Sequence, residues 1–366
     1  MEAGPKAVME QEPDNLAGDF TTTSRKISEL ADAVAGRVNA AVEEIDHINA
    51  TTRLLTLNAQ IEAARAGGSS GAAFGVVASA MKDLSDQASQ VSSAIARDTS
   101  QAIAELQRTN HRLRTAVRGT RLADLALTNI DLIDRNLYER SCDVRWWATD
   151  SSCVDALAQP SQETSDYASR RLGTILNAYT VYHDIVLCAL DGLVVANGRP
   201  QNFGSINTNQ ASQPWFKAAL ATATGDEFGF QTVHPSALVR DQRALVYSCA
   251  VREGGDVKGR PLGVLGIVFN WDSLANGVIA NTPLDSRERN ATRICITDAD
   301  GHVLADSSNE LLRDQIAFPG RESLYRQGTA HIQAFVDGRE TLIGHAFSPG
   351  YETYSSGWHS VIMEAL

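Results

Sequence analysis

The sequence predicts a multidomain chain. An all-α antiparallel coiled-coil hairpin, paired with a second copy as a dimeric four-helix bundle, precedes an α+β body of two similar antiparallel sheets on a long helix. Three observations predict this. An alanine-rich stretch over 54–66 stops at Gly67-Gly68-Ser69-Ser70-Gly71, and helical patterning resumes at Phe74. Aromatic residues are almost absent before Tyr138, with Phe74 alone between 21 and 137, and common afterwards. A strand, Asp-Gly turn, strand design occurs at 185–197 and again at 294–306.

Residues 1–19 are acidic, have no hydrophobic signal region and read as a disordered tail. The arms follow. Ile27, Ala31, Val34, Val38, Ala41, Ile45, Ile48, Thr52 and Leu55 recur in steps of four and three, as do Val77, Met81, Leu84, Ala88, Val91 and Ile95. That spacing is a coiled-coil seam rather than the broader stripe of a helix lying on a globular core. An arm of about 45 residues reaches roughly 70 Å. So thin a hairpin buries little by itself, which is why a homodimer is expected. Periodicity alone is equally satisfied by a plain oligomerisation stalk.

The words at the turn add something. Residues 54–67 (LLTLNAQIEAARAG) and 72–78 (AAFGVVA) resemble the hairpin tip of bacterial methyl-accepting chemotaxis receptors. The wider resemblance runs over 20–118, with the tip near 67–72. It implies a signalling hairpin that binds a chemotaxis histidine kinase and its coupling protein. By that resemblance Leu54, Leu57, Asn58, Ile61, Glu62 and Arg65 contact neighbouring receptor dimers or the kinase assembly, and Val76 contacts the coupling protein. On the residues alone, Glu62 and Arg65 are also an ordinary intrahelical pair three apart. The chain departs from the family at Thr51-Thr52-Arg53, Gly68 and Ala72, which removes charge from the tip. Glu43-Glu44 loosely resembles a methylation site but lies about six turns from the glycine stop, and reads as a surface pair.

From Leu122 the pattern changes. Leu122, Ala126, Ile130, Ile133 and Leu137 mark a long helix ending near Trp147, and a second helix covers about 166–179. Trp146 and Trp147 point about 100° apart on a helix, so one can pack on the body and the other on a partner. After the first Asp-Gly hairpin come strands at 244–252 and 263–271. After the second come strands at 330–336, 340–347 and 357–364. Residues 120–366, with modules at about 180–275 and 290–366, resemble the double Cache sensor domain of two PAS-like sheets. That resemblance implies a small ligand in the first module. Candidate ligand-binding residues are Trp215, Phe216, Phe230, Arg243 and Tyr247. Where amino-acid sensors of this type carry an arginine and an aspartate, this chain has Gln213 and Val268, which argues against a typical amino-acid ligand.

The net charge of −12 and the absence of a basic stripe argue against nucleic acid. Five cysteines without a Cys-x-x-Cys pair support neither disulfides nor zinc, and no cofactor is implied. Asp298-Ala299-Asp300-Gly301 lacks the rest of a calcium loop and reads as a hairpin turn. Gly67-Gly68-Ser69-Ser70-Gly71 spells a nucleophile elbow but joins two helices, where an elbow follows a strand. No catalytic set is found, so the chain is expected not to be an enzyme. No run reaches 18 apolar residues. A receptor without a membrane span, located in the cytoplasm, is expected. The sequence is best read as a ligand-sensing chemoreceptor-like transducer that acts on a chemotaxis-type histidine kinase; the alternative is a ligand-binding or scaffolding coiled-coil protein without kinase output.

Overall fold

The computed structural model describes residues 16–308 and 315–366. Of the tail expected over 1–19, residues 1–15 lie outside the described residues, and 16–19 already belong to a helix. The chain divides into two compact units after Arg118.

The first unit contains helix α1 (Leu16–Ala66) and the start of helix α2 (Gly68–Trp147). Gly67 (φ 59°) and Gly68 (φ 66°) both take the left-handed conformation that glycine adopts without penalty. The stretch 68–71, expected as a linker, is instead the first turn of α2. Gly71 permits this tight return, because a Cβ there would sit 2.5 Å from the carbonyl oxygen of Ala63.

The arms meet through small and polar side chains in seven-residue steps. Asn49, Thr56 and Ala63 are buried on α1, and Ala78, Ser85 and Ser92 on α2. Ser85 donates to the Asn49 carbonyl at 3.2 Å, and Ser24 donates to Asn110 Oδ1 at 2.6 Å. The seam expected from the sequence, Ala31 apart, is not this contact. Ile48 is 57 % exposed and Leu84 66 %. A seven-residue repeat identifies a packing stripe but not the partner it packs against.

In the second unit, α2 continues to Trp147 without the break expected near 118–122. Gly119 stays helical. A Cβ there would lie 2.2 Å from the His331 ring, so the glycine serves a close approach. Then follow α3 (Ser151–Ala158), which the sequence reading missed, and α4 (Gln162–Ala178). Asp150 caps α3, and a Ser161–Thr164 capping box starts α4.

The first module contains β1 (Tyr182–Ala189), β2 (Val194–Asn197), α5 (Pro214–Leu220), β3 (Gly229–Ser236), β4 (Gln242–Arg252) and β5 (Pro261–Asn270). Helices α6 (Trp271–Asn281) and α7 (Ser286–Ala291) lead to the second, with β6 (Thr292–Thr297), β7 (Val303–Asp306), α8 (Arg321–Tyr325), β8 (Thr329–Val336), β9 (Arg339–Phe347) and β10 (His359–Ala365). The sheet orders, β2-β1-β5-β4-β3 and β7-β6-β10-β9-β8, are the same topology twice. The paired strands are antiparallel. The architecture is therefore the expected one of long helices with two repeated antiparallel sheets.

The main core lies between α2 and one face of each sheet. Leu122, Ala126, Ile130, Ile133 and Leu137 are all fully buried in or beside it. Separate apolar clusters cover the opposite face of each sheet. Trp147 packs edge-on against Tyr179 and Tyr182 at 5.3 and 5.5 Å, while Trp146 is exposed.

Candidate functional site

Around the glycine turn, the α1 and α2 side chains expected to meet partners lie on the surface. Leu54 is 65 % exposed and Val76 71 %, and Leu57, Asn58, Ile61, Glu62 and Arg65 are also exposed. Phe74 and Val77 extend the apolar patch. Glu62 and Arg65 pair with each other at 2.8 Å across one helical turn, with both side chains in solvent. The tip thus presents apolar side chains framed by one ion pair, a surface suited to docking another protein.

The five candidate ligand residues of the first module do not converge on one cavity. Alternation along β4 divides them, since successive strand residues point to opposite faces. Trp215 and Phe216 of α5 are buried on one face with Val246, Val264 and Val268. Tyr247 is buried on the other, with Phe230 paired beside it. There the Tyr247 hydroxyl meets that of Tyr354 from the second module at 2.7 Å. Arg243 is ion-paired to Asp272 at 2.7 Å. Gln213 is the residue before α5 and makes no capping bond with its side chain, and Val268 is fully buried among apolar neighbours. A Cβ on Gly266 would come 2.9 Å from the Trp215 ring, so indole and strand are in close contact.

Two buried carboxylates hold this body in shape. Asp184 at the start of β1 accepts from the backbone of Ile185, Gly198 and Arg199 at 2.9–3.1 Å and from the Asn197 amide at 2.7 Å. Burial pushes its carboxyl up to about 6, against the pull of those donors. Asp134 of α2 ties down the loop before β10. It accepts from the Ser348 and Ser356 hydroxyls, both at 2.6 Å, and from the Gly350 and Ser356 amides at 2.9 and 3.2 Å. The sequence reading identified neither.

The second module has a cluster that the sequence reading also missed. His345 of β9 and His359 of β10 are buried, with His345 Nε2 and His359 Nδ1 2.8 Å apart. Tyr325 of α8 stacks over both, its ring centroid 3.9 Å from that of His359 and 5.0 Å from that of His345. The Tyr325 hydroxyl bonds to Thr297 at 2.8 Å. Burial pushes the histidines down, His345 to about 3 and His359 to about 4, so both are neutral at pH 7. On its outer side Tyr325 lines an open cleft of about 490 Å³ with Asp300, His302, Arg321, Glu322 and Arg326. Asp298, Asp300 and His302 bring donor atoms within 4.8 Å of one another, but Asp298 is engaged by the hairpin turn itself. In register, the outer-face His345 lies opposite Val361 and His359 opposite Thr297, positions where alternation places them on one side.

The described architecture is a helical hairpin with an exposed apolar tip and a body of two repeated sheets on a long helix. Comparison with known proteins agrees. Residues 7–166 match the family described as the methyl-accepting chemotaxis protein (MCP) signalling domain. A probable methyl-accepting chemotaxis protein of Bacillus thuringiensis subsp. konkukian is 42% identical over 74 residues, 20% of this chain and 11% of the relative. A methyl-accepting chemotaxis protein of Paramagnetospirillum magneticum is 40% identical over 90 residues, 25% of this chain and 19% of the relative. The chain therefore spans about a tenth to a fifth of the length of these relatives. The sensory domain of the Campylobacter jejuni chemoreceptor Tlp3, solved with isoleucine bound, superposes with a TM-score of 0.51 at 15% identity, covering 68% of this chain and 93% of that one. At that identity the likeness shows the fold. The chain is thus similar to the MCP signalling domain over residues 7–166 and has a double Cache-like fold in its second unit. Among the described residues no helix is long and apolar enough to cross a membrane.

Proposed function

We propose that this chain is a chemoreceptor-type signal transducer. Its body binds a small ligand, and its hairpin tip modulates a chemotaxis histidine kinase together with the coupling protein. The carrying observation is the exposed apolar patch of Leu54, Leu57, Ile61 and Val76 at the tip of a hairpin that matches a signalling family. A kinase-coupled tip works in the cytoplasm, and the reading puts the hairpin there. It assigns the chain no reaction of its own.

The reading makes the chain a homodimer, because the apolar seam of each hairpin is left outward while small residues occupy the contact between its own arms. Helix α2 is common to both units and is the route by which ligand-dependent packing in the body biases the tip. Such a shift requires a ligand that binds one packing state better than the other. Trp215 and Phe216 are the proposed ligand-facing pair, with Phe230, Arg243 and Tyr247 supporting the sheet from its other side. The Tlp3 domain was solved with isoleucine. Here Gln213 and Val268 offer neither a guanidinium for a carboxylate nor a carboxylate for an ammonium, so a ligand other than a typical amino acid is expected.

The test is capture of a purified kinase and coupling protein by the full chain, in co-sedimentation. Wild type is expected to bring both down, and Glu62→Ala/Arg65→Ala to bring down less than a tenth as much while its helical circular dichroism is unchanged. Equal capture by both proteins would remove the tip from the mechanism.

A further inference from the structure

The His345–His359 pair has a property that the kinase-coupling account does not use. A neutral pair needs one N–H donor and one bare nitrogen to make its 2.8 Å bond. One added proton can be accommodated on that bond. With a proton on each ring, two N–H groups face each other and two positive charges lie buried side by side. The pair is buried, which disfavours that charge, and His345 Nδ1 has no hydrogen-bond partner among the described residues. The roof of the pair is α8, five residues long, held by the Tyr325 stack, the Tyr325–Thr297 bond, the buried Leu324 and the Arg321 bond to the Ile316 carbonyl. A helix of a turn and a half opens at lower cost than the five-stranded sheet beneath it.

We propose that this buried histidine pair is an acid-sensing latch: proton uptake by both rings breaks their hydrogen bond and releases α8 from the second sheet. The ligand in this case is the proton, and the moving part is the wall that Tyr325 gives to the adjoining cleft. The groups that face the pair are Tyr325 from α8 and Asp298 after β6, while Arg321 and Cys295 act on Tyr325. Asp298 favours a charge on His359. A cation under the Tyr325 ring gains some cation–π attraction, which favours the first proton more than the second. The sign of the response follows. A histidine held below its ordinary range when closed, and free at about 6.5 when open, opposes closure as pH falls below 6.5. Opening is therefore suppressed at pH 7.5 and grows through pH 6 and 5, levelling off near the closed-state values of about 4 and 3. The latch is independent of the kinase-coupling reading and is tested without it.

Hydrogen exchange of the full chain, followed by mass spectrometry and corrected for intrinsic rates, reads the opening of residues 321–327. Between pH 6 and pH 5 the opening constant is expected to rise about tenfold for each proton taken up, so up to about a hundredfold for two. His345→Gln/His359→Asn, which keeps polar side chains that do not charge, is expected to abolish that rise. His359→Asn alone is expected to halve the logarithmic slope, which keeps the test decisive if the double variant does not fold. Thr297→Val is expected to raise opening at every pH without altering the slope. An opening constant in wild type that does not change between pH 7.5 and pH 5, or the same slope in the histidine variants, would overturn the latch.

Discussion

Asp134 joins α2 to the second module through four hydrogen bonds from one loop. Replacing it by alanine leaves the Ser356 hydroxyl and two amides without an acceptor, and leaves Ser348 with Ser355 alone. Asp134→Ala is expected to lower stability by about 3 kcal/mol, read from denaturant unfolding of the full chain. A change below about 0.5 kcal/mol would show that water replaces the carboxylate there. At this scale the sequence was legible only where a residue's role is local. The turn positions Gly192 (φ 87°) and Gly301 (φ 89°) follow from Asp-Gly turn chemistry. The division of Trp215 from Tyr247 does not, because it depends on which face of β4 each neighbour covers. The histidine pair lay fourteen residues apart on two strands. Its only sequence trace was that each histidine shares the alternating face of an apolar residue, Ile343 or Val361.

At the scale of elements, α2 and β9 come closest at Gly344. A Cβ there would lie 2.4 Å from the Leu122 carbonyl carbon and 2.5 Å from the Ala123 nitrogen, both backbone atoms with little room to give. Gly344→Ala is expected to cost about 1–3 kcal/mol, and thermal unfolding by circular dichroism checks it. An unchanged midpoint would mean that sheet and helix separate without penalty. The repeated strands were legible because alternation and Asp-Gly turns are local patterns. The unbroken course of α2 was not, because Gly119 answers to His331, more than two hundred residues later. The short α3 carries too few residues for a periodic signature, and its start depends on the Asp150 cap.

At the scale of the whole molecule, the heptad pattern revealed that the arms pack but not with what. The interior of one hairpin is small and polar, and its larger apolar residues face outward. If a second copy covers them, Leu55→Lys/Leu84→Lys, which puts four charges into the shared core of the dimer, is expected to shift sedimentation from twice the chain mass of 39.4 kDa to once that mass. An unchanged dimer would put the subunit contact elsewhere. The outward ring of Trp146 is a second such candidate.

The proposed control of a kinase by the tip is tested directly by autophosphorylation of a chemotaxis histidine kinase reconstituted with its coupling protein. Wild-type chain is expected to change the phosphorylation rate severalfold, and Val76→Glu, which buries a charge in the coupling contact, is expected to return it to the rate without receptor. A rate that wild type and Val76→Glu leave equally untouched, with both proteins folded, would contradict the account and leave the hairpin as an assembly stalk beneath a sensor with another output.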